Sequence, residues 1–584
     1  MMVIFCALAL HSMPTGFGRH QVGKRLFVSP KGSDSGTGER NSPFGSIQLA
    51  ADISGPGDTI VLLPGLYRQR VQVTRSGEPG APIRFVAEQP GTVTISGADP
   101  LNGWESVVGS EPIYSVSWNH LFAIDTKNGK PIECHPPTDT LWGRAEQVMA
   151  RGEQLMPSPS LEALRSGWQR FKVANTGAVL TAPVAHVGPR FAGAFFADTE
   201  NKRLYAWLQS GDSPNRHSIE ASTRGLLFGS SPTESGDVPI HDVEVDGLTF
   251  RYAATFAQRA AVWLWGSHNT VSNCVIEDMA GKGVAVNGLL EHSLIKGCGA
   301  IGGSAMGTGF SNVSDVWLEN CWKPYDRNGE AGGVKIADSG PGKFDHCAFL
   351  RNGGAGLWMD IGCHDVDVKN CVSAENEQSG LFVEISERVA ALDCAFVGNG
   401  VGSVGKAPGW GRAGVDIAES DSCQVARCNL IGNKEGFTIR EGGPRTFRTK
   451  EGQELTLHAT HISADENRFD QNREKQIMFW WDNPILGTNQ YDATRPPRPF
   501  FDPYKESISF TGNLFLGAPN EFAYIGVPTR KQERHFASEA EFLEAFPSSS
   551  PNSHGHEQGW DGVPTDFHDW AASQLPQWMR PILR

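Results

Sequence analysis

The chain has 584 residues, 39% of them apolar and 20% charged, with 67 glycines, the composition of a turn-rich globular or repeat protein. Its 51 basic residues against 65 acidic ones leave a net charge of −14. That balance excludes nucleic acid and anionic membranes as natural partners, because phosphate binding needs a basic face; neutral or weakly charged substrates suit it better.

Residues 1–25 come first. Val3 to Leu10 is a short apolar run ahead of a polar stretch. It reads equally as the h-region of an export signal lacking its basic n-region and as a disordered N-terminus. The first reading carries the expectation of a secreted or periplasmic protein. No apolar run in the sequence is long enough to cross a bilayer.

Residues 26–100 open with a strand at Leu26 to Pro30, a polar loop, a short amphipathic helix at Ser46 to Ile53, a buried strand and turn over Asp58 to Arg68, and further strands over Ile83 to Gly97. A helix followed by regular short strands suits the N-terminal cap and first coils of a β-solenoid, whose open end needs covering. Over 101–222 no period is visible. Hairpins are predicted at 147–155, around Arg151-Gly152, and at 195–208, turning at Thr199 to Lys202, so the stretch reads as an inserted, β-sandwich-like domain.

From about Ile240 a period appears. Cys274, Cys298, Cys321, Cys347, Cys371, Cys394 and Cys428 follow one another at steps of 24, 23, 26, 24, 23 and 34. Short β segments with Gly and Asn corners at such a period predict a parallel β-helix over 223–535. The eleven cysteines include no Cys-x2-Cys pair of the kind a zinc site uses, so they read as small apolar side chains stacked inside successive coils. No metal or cofactor is expected. The long last step places added residues at 401–411, including Trp410. Ala464 to Trp481 and Ser507 to Phe515 read as further rungs, and Asn483 to Tyr504 as a Pro-rich loop. Residues 536–584 read as a loosely structured tail able to fold back on the helix.

The chemistry concentrates in one frame that occurs twice: Gly-Leu-Trp-Met-Asp at 356–360 and Gly-Leu-Phe-Val-Glu at 380–384. Strand alternation puts Leu357 and Met359 inward, and Trp358 and Asp360 outward. Leu381, Val383, Phe382 and Glu384 repeat the pattern. Aligning the neighbouring frames gives one outward column of Asn287, Ala337, Asp360, Glu384, Ala418 and Arg440. A second runs Ala285, Lys335, Trp358, Phe382, Asp416 and Thr438. Parallel strands lie ~4.8 Å apart, which brings two carboxylates on adjacent coils to the ~5–5.5 Å that retaining glycosidases use. Solvated surface acids are the ordinary alternative, yet like charges stacked on adjacent strands are destabilising, and here alanines flank them and aromatics adjoin them. Lys335, diagonal to Asp360, favours its anion; Asp360 and Asp416 beside Glu384 favour its protonated form. Asp360 is therefore read as nucleophile and Glu384 as general acid/base. Lys335, Trp358, Phe382, Asp416 and Arg440 are read as substrate contacts.

These frames, Gly-Leu-Trp-Met-Asp360 and Leu-Phe-Val-Glu384-Ile-Ser, resemble the parallel β-helix β-xylosidases of glycoside hydrolase family 120. The resemblance implies an aspartate nucleophile at Asp360 and a glutamate acid/base at Glu384. Glu330-Ala-Gly-Gly-Val-Lys335 resembles the family's Glu-to-Lys segment, which adds Glu330 to the substrate contacts; Gly329 stands where the family is expected to have histidine. The opening, Val28-Ser-Pro-Lys-Gly-Ser-Asp with Gly57-Asp-Thr-Ile-Val and Pro64-Gly-Leu-Tyr-Arg68, is similar too, though many β-helix proteins share it. The likeness runs in outline over 26–450 and is specific over 330–386.

The expectation is thus a retaining hydrolase of plant or algal oligo- or polysaccharides. Two rivals stand beside it: a uronate lyase or epimerase, with Lys335 as base and Arg440 as carboxylate binder, and a non-catalytic carbohydrate-binding solenoid. A homo-oligomer is compatible with the sequence. His364 and His461 read as corner or surface residues.

Overall fold

The structure is a computed structural model that describes residues 23–109, 111–122, 126–127, 130–131, 141, 144–166, 170–172, 179–181, 191–232, 236–323, 331–401, 410–450, 452–481, 507–517, 521–526, 534–546 and 559–583. The apolar run at the N-terminus, Glu330, most of the added residues at 401–411 and the Pro-rich loop fall outside these.

From Arg25 onward the chain winds through three parallel sheets. The first begins with Arg25–Val28 and Thr59–Leu62 and ends with Ser509–Thr511; the second has twelve strands, from Gly65–Tyr67 to Leu514–Leu516. The third carries the repeated frames in seven parallel strands: β1 (Val334–Ile336), β2 (Leu357–Met359), β3 (Leu381–Glu384), β4 (Ala413–Ala418), β5 (Glu435–Glu441), β6 (Lys475–Trp481) and β7 (Ala523–Gly526). In the coils before β1, the long bent strands Ala260–Ser272, Lys282–Glu291 and Ile301–Val313 cover the first and third faces together. Ile301 bridges Gly332, so the third face is continuous from those coils into β1. This coil was missed in the sequence columns: Ser304 and Met306 lie between Ala285/Asn287 and Lys335/Ala337.

Alternation along each strand fills the interior. Val334, Leu357, Leu381, Val415, Phe437 and Ile477 form one inward row, and Ile336, Met359, Val383, Ile417, Ile439 and Phe479 the next. The predicted helix is present at Ile47–Ile53, N-capped by the Ser46 hydroxyl, and buries Ile47, Ala50 and Ala51 against the first coils. At the other end Phe542 and Phe546, on and just after the helix Glu539–Ala545, close the core against Phe479 and Phe510.

Two side-chain ladders line the corners. Between the first and second sheets each coil turns on one left-handed residue (Asn273, His292, Ser314, His346, Asn370, Asp393, Arg427 and Glu466, with φ of 50–55°). The residue after it points inward: Cys274, Ser293, Asp315, Cys347, Cys371, Cys394, Cys428 and Asn467. The cysteine ladder therefore holds for Cys274, Cys347, Cys371, Cys394 and Cys428, all buried and free, but Cys298 and Cys321 do not belong to it. They are buried at the next corner. The steps along the true column run from 293 − 274 = 19 to 467 − 428 = 39 residues, and the even cysteine spacing at 274–321 was a coincidence of unequal coils.

That next corner holds an asparagine ladder the sequence reading missed. Asn320, Asn352, Asn376, Asn399, Asn433 and Asn472 stack, each donating its backbone N–H and its Nδ2 to the Oδ1 of the next at 2.9–3.2 Å. This ladder explains the frame glycines. A Cβ on Gly356, Gly380, Gly414 or Gly436 would fall 2.7–2.8 Å from the Nδ2 of Asn376, Asn399, Asn433 or Asn472 respectively.

Within 98–222, both predicted hairpins are present, Val148–Ala150 with Glu153–Pro157, and Gly193–Asp198 with Arg203–Leu208. Arg151 and Gly152 both take positive φ, 56° and 83°, as a type I′ hairpin turn requires. Glu153–Pro157 pairs first with 148–150 and then with 193–198, so one strand joins two sheet portions around a common core of Val148, Ala150, Phe195, Leu204, Ala206 and Ile219. The insertion meets the solenoid at Tyr252, Asp278 and Trp322–Lys323.

Among the described residues, the C-terminal stretch holds helices and folds back on the solenoid. Helices Phe567–Gln574 and Arg580–Leu583 lie on the outer face of the second sheet. Ala571, Ala572, Leu575, Met579 and Leu583 pack there on Val275, Leu294, Val316, Leu350 and Val372.

Candidate active site

The third sheet sets the register in which the predicted residues meet. Lys335, Trp358, Phe382, Asp416 and Thr438 are successive partners in one outward row, and Glu384, Ala418, Arg440 and Trp480 in the other. Asp360 directly follows β2 and donates its N–H to Ile336 O at 2.8 Å, which continues the register to the position beside Glu384.

Asp360 is held on both sides. Its Oδ1 accepts the N–H of Ile361 at 2.8 Å, and its Oδ2 lies 3.2 Å from the Lys335 ammonium. Lys335 itself sits 3.8 Å above the Trp358 ring. The Asp360 side chain keeps 19% of its surface accessible and Glu384 15%.

Glu384 meets a cation that the sequence analysis reads as a substrate contact. Arg440, two coils on, reaches back over Ala418 so that Nη2 donates to Glu384 Oε1 at 2.9 Å. The alanine makes this possible, since any longer side chain would fill the gap. Arg440 also approaches Glu419 at 3.6 Å and is sandwiched by Trp410 at 3.8 Å and Phe382 at 5.4 Å. Burial nevertheless raises the Glu384 carboxyl above the usual glutamate value; Arg440 opposes the shift, and Asp360 and Glu419 add to it.

Asp416, expected as a substrate contact, is fully buried. Its Oδ2 accepts the Gly411 N–H at 3.0 Å and the Ser379 hydroxyl at 3.4 Å, which ties down the end of the added loop next to Trp410. Burial pushes its carboxyl up to about 7. Arg440 is likewise buried. Trp358 and Phe382 stack at 5.2 Å beside Ala355 and Ala418, and Trp480 adds a third wall against Trp410 at 6.1 Å. Phe479 and Trp481 belong to the core. His364 and His461 are surface residues paired with Asp365 and Asp421.

Past the carboxylates the coils bend into a cleft of about 520 Å³, lined by Asp338, Gly362, His364, Arg388 and Phe447. The hairpin of Arg445–Arg448 and Glu454–Leu457 reaches over it, and Lys450 donates to Asp338 O at 2.9 Å. The hairpin was missed from the sequence, where its trace is the long step between Cys428 and Asn467 on the next rung.

With that geometry in view, comparison with known proteins bears on the fold. Residues 242–430 match the family model described as right handed beta helix region. The fold is a right-handed parallel β-helix. Over 105 residues, 18% of this chain, the sequence is 33% identical to the uncharacterized protein YwoF of Bacillus subtilis (strain 168). Over 76 residues, 13% of this chain, it is 40% identical to pectate lyase PEL9 of Emericella nidulans. These matches span only 21% and 18% of those proteins. Among solved structures, XylC in complex with xylose superposes with a TM-score of 0.61 at 15% identity, covering 84% of this chain and 86% of that one. At this identity the likeness extends to the fold alone.

Proposed function

We propose that this β-helix is a retaining glycoside hydrolase of oligo- or polysaccharides, β-xylosidase-like as the frames at 356–360 and 380–384 suggest, with Asp360 as nucleophile and Glu384 as general acid/base. The observation that carries the reading is the opposite environment of two adjacent carboxylates. The Asp360 carboxylate lies 3.2 Å from the Lys335 ammonium, while burial raises Glu384 toward the protonated form a general acid needs. Strand spacing of ~4.8 Å fits the retaining separation. XylC, whose structure holds xylose, shares the fold and is consistent with a sugar substrate.

In the first step Asp360 attacks the anomeric carbon while Glu384 protonates the departing oxygen, leaving a glycosyl ester on Asp360. In the second, water deprotonated by Glu384 displaces that ester and the acid is restored. Arg440 keeps its hydrogen bond to Glu384 through both protonation states, and Trp358, Phe382 and Trp410 supply apolar faces for a sugar ring.

A panel of nitrophenyl xylosides, fucosides, galactosides and arabinosides tests the reading, with uronate polymers in parallel. Hydrolysis of one glycoside, abolished by Asp360→Ala, is expected. Glu384→Ala should retain part of its first step, because nitrophenolate leaves without protonation, and added azide should restore its turnover. Lys335 and Arg440 flanking the pair also suit a uronate lyase. A rise in ultraviolet absorbance on a uronate polymer, without glycoside hydrolysis, would establish that chemistry instead.

A further inference from the structure

The hairpin of Arg445–Arg448 and Glu454–Leu457 takes no part in holding the carboxylate pair, yet its two faces are sharply divided. Phe447 pairs with Leu455, and Thr449 donates its N–H to Gln453 O at 2.8 Å. Strand alternation puts these four side chains on one face, and all four line the cleft of about 520 Å³. Thr446, Arg448, Glu454 and Thr456 lie on the other face and are exposed. The root of the hairpin is fixed. The buried Glu441 carboxylate accepts the N–H of Gly443 at 2.8 Å and that of Ala459 at 2.6 Å, one on each side of it. A wall held in this way is set before a ligand arrives, which lowers the cost of binding.

The cleft beneath is long and begins beside the acids. Its floor crosses six successive coils, from His268 through Asn287, Thr308, Gly340 and His364 to Glu387. That is five strand spacings, or ~24 Å. Gly362 stands two residues after Asp360, at most ~7 Å of chain. A Cβ on it would fall 3.3 Å from the Phe447 ring, so glycine is what lets the ring approach this coil. Asn287 lies further along, in the outward row of Asp360 and Glu384: it pairs with Met306, and the bridge of Ile301 to Gly332 carries the row on to Ala337 and Asp360. Three spacings, ~14 Å, separate it from Asp360. Among the described residues the lining sets Asp338 and Glu387 against Arg388 and Lys450, two of each sign. Arg388 is itself bonded to Asp365 at 2.7 Å and to Glu387 at 2.6 Å. Hydroxyl, amide and imidazole groups on Thr308, Asn287 and His268 can donate and accept, as sugar hydroxyls do.

We propose that this cleft holds successive rings of a neutral oligosaccharide cleaved at Asp360 and Glu384. Phe447 presents an apolar face to the ring next to the acids, and Asn287 hydrogen-bonds a ring further along. The substrate class is then a neutral chain of several sugars rather than a disaccharide or a small glycoside, and the hairpin is the element that selects for length. The inference rests on the hydrolase reading for what is cleaved, but its binding test does not.

Calorimetry on the full chain carrying Asp360→Asn, which stops cleavage on the hydrolase reading, uses oligosaccharides of two to six rings built from xylose, galactose or arabinose, with oligogalacturonate as the acidic counterpart. In one neutral series the hexasaccharide is expected to bind about tenfold more tightly than the disaccharide. Adding Phe447→Ala should remove most of that gain. Arg448→Gln, on the outer face of the same hairpin, should keep it. Asn287→Ala should weaken the longer chains and spare the disaccharide, which is too short to reach it. Affinity that is flat with length in every neutral series, a gain that survives loss of both Phe447 and Asn287, or tighter binding of the oligogalacturonate overturns the proposal. Length-dependent binding by a parent protein that hydrolyses no glycoside would keep the cleft and remove the hydrolase; hydrolysis with flat binding would do the reverse.

Discussion

Two charges decide how the candidate acids behave, and one of them was legible in the sequence. Lys335 stands one coil before Asp360 on the neighbouring outward row, so their contact at 3.2 Å follows from register alone. Arg440 was read as a substrate contact and not as a partner of Glu384, because register locates a Cα and says nothing of how far an arginine extends over an alanine. Its bond to Glu384 yields a prediction. Arg440 lowers a carboxyl that burial raises, so Arg440→Gln should move the alkaline limb of the kcat profile, where the general acid loses its proton, to higher pH. A limb that stays put or moves down would separate Glu384 from the acid role. Asp416 supplies a second test. Its carboxyl holds a proton to about 7 when folded, against roughly 3.9 when unfolded. Between those values the unfolded chain carries fewer protons, so this group's contribution to stability is fully present below about pH 4, declines as pH rises to about 7, and is constant above. Each unit of difference is worth roughly 1.4 kcal/mol. Asp416→Asn, which keeps an acceptor for Gly411, should lose part of this decline; denaturant melts of both proteins from pH 4 to 8 that run parallel would rule it out.

At the scale of the coil, the frame Gly-apolar-aromatic-apolar-acid was legible because alternation and repetition both marked it. Why it begins with glycine was not, because the reason lies in another strand. The Asn376 and Asn399 side chains pass behind Gly356 and Gly380, and a Cβ there would meet Nδ2 at 2.7 Å. The signal was present in Asn352-Gly-Gly-Ala-Gly356 and Asn376-Glu-Gln-Ser-Gly380, where asparagine precedes the frame glycine by four residues. Cysteine drew the eye first, and unequal coil lengths merged two corners into one apparent ladder. Gly380→Ala should therefore be costly. The methyl group would press on Asn399 Nδ2 and on Gly414 O, both at 2.7 Å, and displacing either breaks a buried hydrogen bond worth about 1–3 kcal/mol. Because Gly380 directly precedes β3, which carries Glu384, the same change should lower kcat along with the melting temperature. An alanine variant that melts like the parent would mean the ladder yields without strain.

Over the whole molecule, the sequence marks the solenoid well and its attachments poorly, for a physical reason. Coils repeat because each must stack on the last, whereas the insertion and the C-terminal helices each bury a surface once and leave no period. The tail looked loose because of its polar run Ser548-Ser-Ser-Pro-Asn-Ser553, yet apolar residues beyond it are placed on a row that the second sheet presents outward: Val275, Leu294, Val316, Ala348, Val372 and Ala395 at successive rungs. An outward apolar row on a solenoid sheet is a surface that something must cover, since exposed strips of this kind drive association. Met579 and Ala571 are fully buried against it, and Arg351 meets His568 at its edge. Met579→Glu should bury a carboxylate on that strip without a counter-charge, lower the melting temperature, and expose enough of the row to bind an apolar dye and to self-associate on concentration. The interior should remain wound, because the cysteine and asparagine ladders hold the corners at either end of the same strands, so far-ultraviolet dichroism is expected to persist where dye binding rises. Loss of both together would make the C-terminal helices part of one cooperative unit with the solenoid, and no dye binding at all would mean that the helices hold without Met579.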